Sequence, residues 1–346
     1  CELFEGPVPA GSLPGVTAYG AYDLAGNVRE WCRNEAPDGR VLRGGAWNDV
    51  PYMFSNVSQA PPFDRSLKNG FRCAVYPDPK GIPETAFEMV DFGEMREYSS
   101  EEPVSDEVFE VYREQFSYDE APLHAKVEKR EESAGDWVHE RITFDAAYGG
   151  ERIIAHLFLP VNSEPPYQAV IYFPGSSSIF RKSSEDLEHY FEFSTFLSCI
   201  LKSGRAALYP VYKGTFERSE EGLAILHFGE DSHRYTTYLT QLVKDFRRCI
   251  DYLETRPDID DEKLAYYGMS WGGILGAVIP AVEDRLQASV LIAGGFYLYA
   301  TYRPEADPIN YITRVEIPTL IQNGRYDTVF PCEAALKPFL DLFGTP

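Results

Sequence analysis

Positive charge is scarce in this chain: 32 Lys and Arg stand against 54 Asp and Glu, a net charge of −22. So negative a surface repels phosphate backbones and anionic lipid, which excludes nucleic acid and membrane surfaces as natural partners. Long apolar runs are missing as well. The most apolar stretch, ASVLIAGGFYLYATY (288–302), is too short and too rich in Tyr and Gly to span a bilayer. The six cysteines (Cys1, Cys32, Cys73, Cys199, Cys249, Cys332) form no C-x-x-C pair and have no regular spacing. They read as isolated buried thiols in a reducing, cytoplasmic compartment, with a disulfide from Cys73 to an upstream residue left open. The chain opens at CELFEGPVPAG without Met, signal peptide or charged leader, and is expected to be cut from a longer polypeptide. Histidine is the most telling shortage. There are six, and all of them precede residue 234.

What is present suffices for large cores: 346 residues, 44% hydrophobic and 14% aromatic. Residues 1–80 are rich in Gly, Asn, Pro and Trp, with short strand-like pieces such as RVLRGGAW and GFRCAVY. Residues 81–135 are strongly acidic and read as a linker. One amphipathic helix is expected there in SDEVFEVYREQFSY, with Val108, Val111, Tyr112 and Phe116 on one face. From residue 136 to 346 strands and helices alternate, after an opening antiparallel pair, VHERITFDA and RIIAHLFLP. Strands are expected at QAVIYF, RAALYP, KLAYYG, QASVLIAGG and IPTLIQNG. Helices are expected at SEDLEHYFEFSTFLSCILKSG, at HRYTTYLTQLVKDFRRCIDYLETR, after Trp271 and after Pro331. This alternation implies an α/β fold with a mostly parallel sheet covered on both faces.

The chemistry concentrates in that third region. Gly268-Met269-Ser270-Trp271-Gly272 is a G-x-S-x-G at a strand-to-helix junction, where a nucleophile elbow presents a serine hydroxyl at a helix N-terminus. The bland alternative is an ordinary turn with a serine N-cap. YFPGSSS (172–178) follows an early strand, so the backbone N–H groups of Trp271 and Ser176 are the expected oxyanion hole, with Ser177 in reserve. IPTLIQNGRYDTVFP ends a late strand and delivers Asp327 into a loop, as the acid of a triad requires; Asp307 is a weaker rival. The chain order of such sites is Ser, acid, His. No histidine follows Ser270. His156 alternates within a strand and reads as structural, while His227 and His233 lie in a loop over the active edge. The base is therefore expected beyond Pro346, within about 20 to 40 residues.

Residues 136–346 resemble the α/β-hydrolase family, more narrowly its dienelactone-hydrolase, acetyl-xylan-esterase and prolyl-oligopeptidase-like branches, through YFPGSSS, YPVYKGT, YYGMSWGG and NGRYDTVFP. The resemblance implies cofactor-free acyl transfer from a small-molecule ester through a Ser270 acyl-enzyme. A serine peptidase, or a ligand-binding scaffold with a degenerate hydrolase domain, are the competing readings.

Residues 1–80 carry a second resemblance. AYDLAGNVREW, RVLRGGAWND and NGFRCAVY, in that order, look like the C-terminal part of a formylglycine-generating-enzyme (sulfatase-modifying factor) domain, a C-type-lectin-like fold. That family's catalytic cysteine positions correspond to Asp49 and Phe54, so oxidase chemistry is not expected. The resemblance also implies a structural calcium ion held by Asp23 and Glu30 side chains with the Gly26 and Val28 carbonyls. Trp31, Trp47 and Phe71 are expected in the core. The two modules in this order resemble bacterial multidomain proteins in which a Ser/Thr kinase domain comes first; no kinase motif occurs in these residues.

Overall fold

The computed structural model describes residues 6–344 apart from 38, 50–53, 55–56, 91–94, 134–135, 224–225, 227–228 and 326. His227 thus falls outside the described residues. The chain divides into two compact units, Cys1–Glu94 and Met95–Pro346.

The first unit is built on a small sheet of β1 (Arg29–Ala36), β2 (Gly39–Arg43), β3 (Ser58–Ala60) and β4 (Asn69–Gly70), in the order β3-β2-β1-β4. Only β4 runs parallel to its neighbour. Val41, Leu42 and Ala46 are buried, whereas Trp31 and Trp47 are half-buried. Phe71, expected in the core, is 78% exposed. The reason is local: β4 ends at Gly70 after two paired residues, so no neighbouring strand covers the next side chain.

The second unit holds eight strands: β5 (Lys126–Ser133), β6 (Trp137–Asp145), β7 (Arg152–Pro160), β8 (Tyr167–Phe173), β9 (Ala206–Val211), β10 (Ile259–Met269), β11 (Leu286–Ile292) and β12 (Thr319–Gln322). Their order is β12-β11-β10-β8-β9-β7-β6-β5. The block β9-β8-β10-β11-β12 is parallel, and β5, β6 and β7 add antiparallel pairs at one edge. Successive residues point to opposite faces. Ala169, Ile171 and Phe173 of β8 enter one core, while Val170 and Tyr172 enter the other. Both faces are therefore buried, as the near-continuous apolar runs of these strands require.

Helix α1 (Asp106–Glu114) buries Phe109, with Phe116 just beyond its end, against Tyr311; Val108 and Val111 stay exposed. The expected face is thus turned, because the two phenylalanines, seven residues apart, take the inward positions. The acidic segment 95–135 supplies this helix and β5 to the second unit. The helix expected over 184–204 is broken into a 3-10 turn at Leu187–His189, a π turn at Phe193–Leu197 and α2 (Ser198–Lys202), ending at Gly204 in the left-handed region. α3 (His233–Glu254) is continuous. Ser232 caps it by accepting from the Tyr235 N–H at 3.2 Å, and Leu239, Leu242, Phe246, Ile250 and Leu253 are fully buried.

Candidate active site

β10 leads directly into Ser270, and α4 (Trp271–Leu275) begins at the next residue. Ser270 has φ 54° and ψ −103°, a conformation that costs a non-glycine residue on the order of 1–3 kcal/mol. Two backbone bonds hold it there: Ser270 N–H donates to the Ile292 carbonyl at 2.8 Å, and Gly272 N–H to the Pro174 carbonyl at 3.2 Å. An N-cap serine has extended backbone and a hydroxyl that accepts from the first helical turn. Ser270 has neither. Ser270 is half-buried at the C-terminal edge of the sheet, where open α/β sheets bind ligands.

The flanking glycines follow from packing. A Cβ on Gly268 would overlap the Gly272 carbonyl, and one on Gly272 would overlap the carbonyl oxygen of Phe173. Backbone cannot yield as a flexible side chain does. Gly272→Ala is therefore expected to destabilise by about 1–3 kcal/mol or more, read as a lowered thermal midpoint. A midpoint equal to wild type would contradict this tight approach.

Pro174–Ser178 lies beside the elbow, after β8. Ser178 donates to the Gly175 carbonyl through both its N–H (3.2 Å) and its hydroxyl (2.8 Å). Glu192, fully buried, accepts from the Tyr172 hydroxyl at 2.9 Å, the Tyr190 hydroxyl at 2.9 Å, the Ser177 hydroxyl at 3.0 Å and the Gly175 N–H at 3.3 Å. Burial pushes its carboxyl above the usual range, and the hydroxyl donors pull it back. Sequence reasoning missed Glu192. The signal was one acid inside an aromatic run, HYFEFSTF, which a helical reading assigns to a solvated face.

Asp327 sits in the loop after β12, half-buried, and its Oδ1 accepts from the Val329 N–H (2.8 Å) and the Phe330 N–H (3.0 Å). Its rival Asp307 is buried and paired with Arg96 at 2.6 Å, a structural role. His156 is also structural: it bonds His139 at 2.9 Å and Ser184 at 2.8 Å, and burial pushes it down to about 3. His124 pairs with Asp145, and His189 with Asp186. His233, exposed at the start of α3, lies near Glu305. Among the described residues no histidine is hydrogen-bonded to Ser270 or Asp327.

In the first unit, the carboxylates of Glu30 and Asp23 have different partners. Arg72 grips the Glu30 carboxylate, with Nε 3.0 Å and Nη2 2.7 Å from Oε1. Asp23 Oδ2 accepts from the Gly11 N–H at 2.5 Å, and its buried Oδ1 has no donor among the described residues. No cluster of three or more His, Cys, Asp or Glu able to hold a metal occurs among the described residues. Asp49 is likewise occupied, by Arg29 at 2.8 Å. The described cysteines, Cys73 included, are free thiols. No described helix is long and apolar enough to cross a membrane.

Residues 86–298, more than half the chain, match the profile described as acetyl xylan esterase (AXE1). The chain belongs to that family. Residues 4–77 match a sulfatase-modifying factor enzyme 1-like domain. Among solved structures the second region is similar to acetyl xylan esterase 1 from Thermoanaerobacterium sp., with a TM-score of 0.55 and 15% identity over 71% of this chain and 86% of that one. An acetyl xylan esterase from Paenibacillus sp. R4 has a TM-score of 0.48 and 18% identity, over 69% and 84%. The first region is similar to the inactive C-alpha-formylglycine-generating enzyme 2 of Bos taurus, 37% identical over 20% of this chain and 27% of that protein. The chain spans 27% of the length of the curated relatives it matches. This acetyl xylan esterase family member has an α/β-hydrolase fold in its second unit and a sulfatase-modifying-factor-like module before it.

Proposed function

We propose that the second unit hydrolyses short acyl esters of small molecules through an acyl-enzyme on Ser270. The observation that carries this reading is the left-handed backbone of Ser270, a strained conformation held by its neighbours and not spent on capping. Ser270 Oγ attacks the ester carbonyl and its proton passes to a base. The tetrahedral oxyanion is held by the N–H groups of Trp271 and Ser176, and the alcohol leaves with the base's proton. Water then attacks the acyl-enzyme by the same steps in reverse. No cofactor enters this chemistry. The first module takes no part in the reaction, and a kinase domain precedes it in the full-length polypeptide.

Asp327 is the acid that orients the base, with its Oδ1 already fixed by two backbone donors. The base is a histidine supplied after Pro346. Residues 1–346 are expected to hydrolyse p-nitrophenyl acetate on the order of a thousandfold more slowly than a chain extended past Pro346, because elbow and oxyanion hole alone leave a residual rate. Full activity from residues 1–346 would overturn this placement and promote His227 or His233.

A further inference from the structure

We propose that Glu192 is a positioning residue for the oxyanion hole: its carboxylate clamps the Gly175 N–H and so aims the Ser176 N–H at the substrate carbonyl oxygen. The proposal rests on the assignment of Ser270 and Ser176 above.

Two successive peptide planes make the argument. A trans peptide is rigid, so fixing its carbonyl fixes the direction of its N–H. In the plane joining Pro174 and Gly175, the carbonyl accepts from Gly272 of the elbow helix, and the N–H donates to Glu192. In the next plane, the Gly175 carbonyl accepts twice from Ser178. The remaining group of that plane is the Ser176 N–H, and among the described residues nothing accepts from it. Three of the four polar groups are thus held inside the protein, and the fourth has no acceptor among the described residues.

Glu192 is the part of this clamp with no packing explanation. It is fully buried, and no arginine or lysine is paired with it among the described residues. A buried carboxylate without a cation costs several kcal/mol, which an apolar residue would avoid. In return its two oxygens lie within hydrogen-bond reach of four groups: the Tyr190 and Ser177 hydroxyls, which also bond each other, at Oε1, and the Tyr172 hydroxyl and Gly175 N–H at Oε2. The hydroxyl donors can rotate to new partners, but the Gly175 N–H cannot. A Cβ on Gly175 would lie 2.5 Å from Met269 Cε and 3.0 Å from Glu192 Oε1, so Gly175 packs between the side chain of the residue before Ser270 and the clamp.

The distinction between glutamine and methionine follows from this geometry. In Glu192→Gln the amide oxygen still accepts from Tyr172 and Gly175, while its NH₂ faces hydroxyls able to turn and accept. In Glu192→Met, similar in length, the Gly175 N–H loses its acceptor. In the full-length polypeptide, kcat for p-nitrophenyl acetate, normalised to fluorophosphonate-titrated sites, should stay within about threefold of wild type for Glu192→Gln. For Glu192→Met it should fall about thirtyfold to a hundredfold, with KM within about twofold, since one oxyanion donor contributes roughly 10²–10³ in kcat when removed outright. A purely structural role would lower the melting midpoint of both variants and leave kcat per titrated site unchanged, and that result would overturn the proposal. If Glu192→Met does not fold, the double variant Ser177→Ala/Tyr190→Phe, which removes the donors that pin Oε1 and so lets the carboxylate turn away from the Gly175 N–H, should lower kcat three- to tenfold; an unchanged kcat would again overturn it. Wild-type protein that fails to label at Ser270 counts against the site assignment instead, so the two failures are told apart.

Discussion

Ser270→Ala, in a polypeptide extended past Pro346, is expected to abolish covalent labelling by a fluorophosphonate and to lower kcat for p-nitrophenyl acetate by about four to six orders of magnitude. The size follows from the chemistry: without the hydroxyl no acyl-enzyme forms, and water must attack a carbonyl polarised only by backbone donors. The fold should survive. The Ser270 side chain makes no capping bond, and the bonds that hold its backbone come from its own N–H and from Gly272, neither of which alanine removes. Alanine at positive φ keeps a strain similar to that of serine. An unchanged melting midpoint together with lost labelling is therefore the expected pair of results. Labelling that persists in the alanine variant would remove Ser270 from the mechanism and leave the elbow as architecture.

The tight turn at Ser270 was legible because its requirements are local. G-x-S-x-G needs glycine where backbone approaches backbone, and the overlaps that a Cβ would meet at Gly268 and Gly272 restate that pattern in space. The strands β8 to β12 were legible for a similar reason: a parallel strand covered on both faces is a short apolar run with little choice of period. What escaped was long-range or counter to pattern. Glu192 lies 15 or more residues from three of its four partners and breaks the apolar period that a helix over 184–204 demands. Phe71 has the composition of a core residue, yet its strand ends too soon to cover it. Arg72, the partner of the Glu30 carboxylate, stands 42 residues away from it. Charge neutralised across such a distance leaves no trace in local spacing.

Asp245 was hidden in the same way, inside the periodic polar positions of α3, and it carries the second large effect. Its carboxylate is fully buried. Arg218, 7% exposed, donates to it from both guanidinium nitrogens and to the Val211 carbonyl at 3.0 Å. The Tyr148 hydroxyl (2.8 Å) and the Lys213 N–H (2.9 Å) complete its shell. This group ties α3 to the loop that follows β9. Burial pushes the Asp245 carboxyl up, and Arg218 is the largest influence holding it down. Arg218→Met removes that compensation and leaves a buried carboxylate with two neutral donors, so a loss of about 3–5 kcal/mol is expected. For a unit of this size that corresponds to a melting midpoint lower by roughly 6–20 °C. The pH dependence has a definite sign. A carboxyl whose folded pKa is raised above its unfolded value disfavours folding once ionised, so the gap between variant and wild type should widen as pH rises from about 5 to 8. Arg218→Met/Asp245→Asn removes the ionisable partner while keeping an acceptor for Tyr148 and Lys213. It should recover at least about 1 kcal/mol and abolish the widening. A single variant that melts within a degree of wild type at every pH would show that the pair contributes nothing net and that Asp245 is held neutral in the native protein.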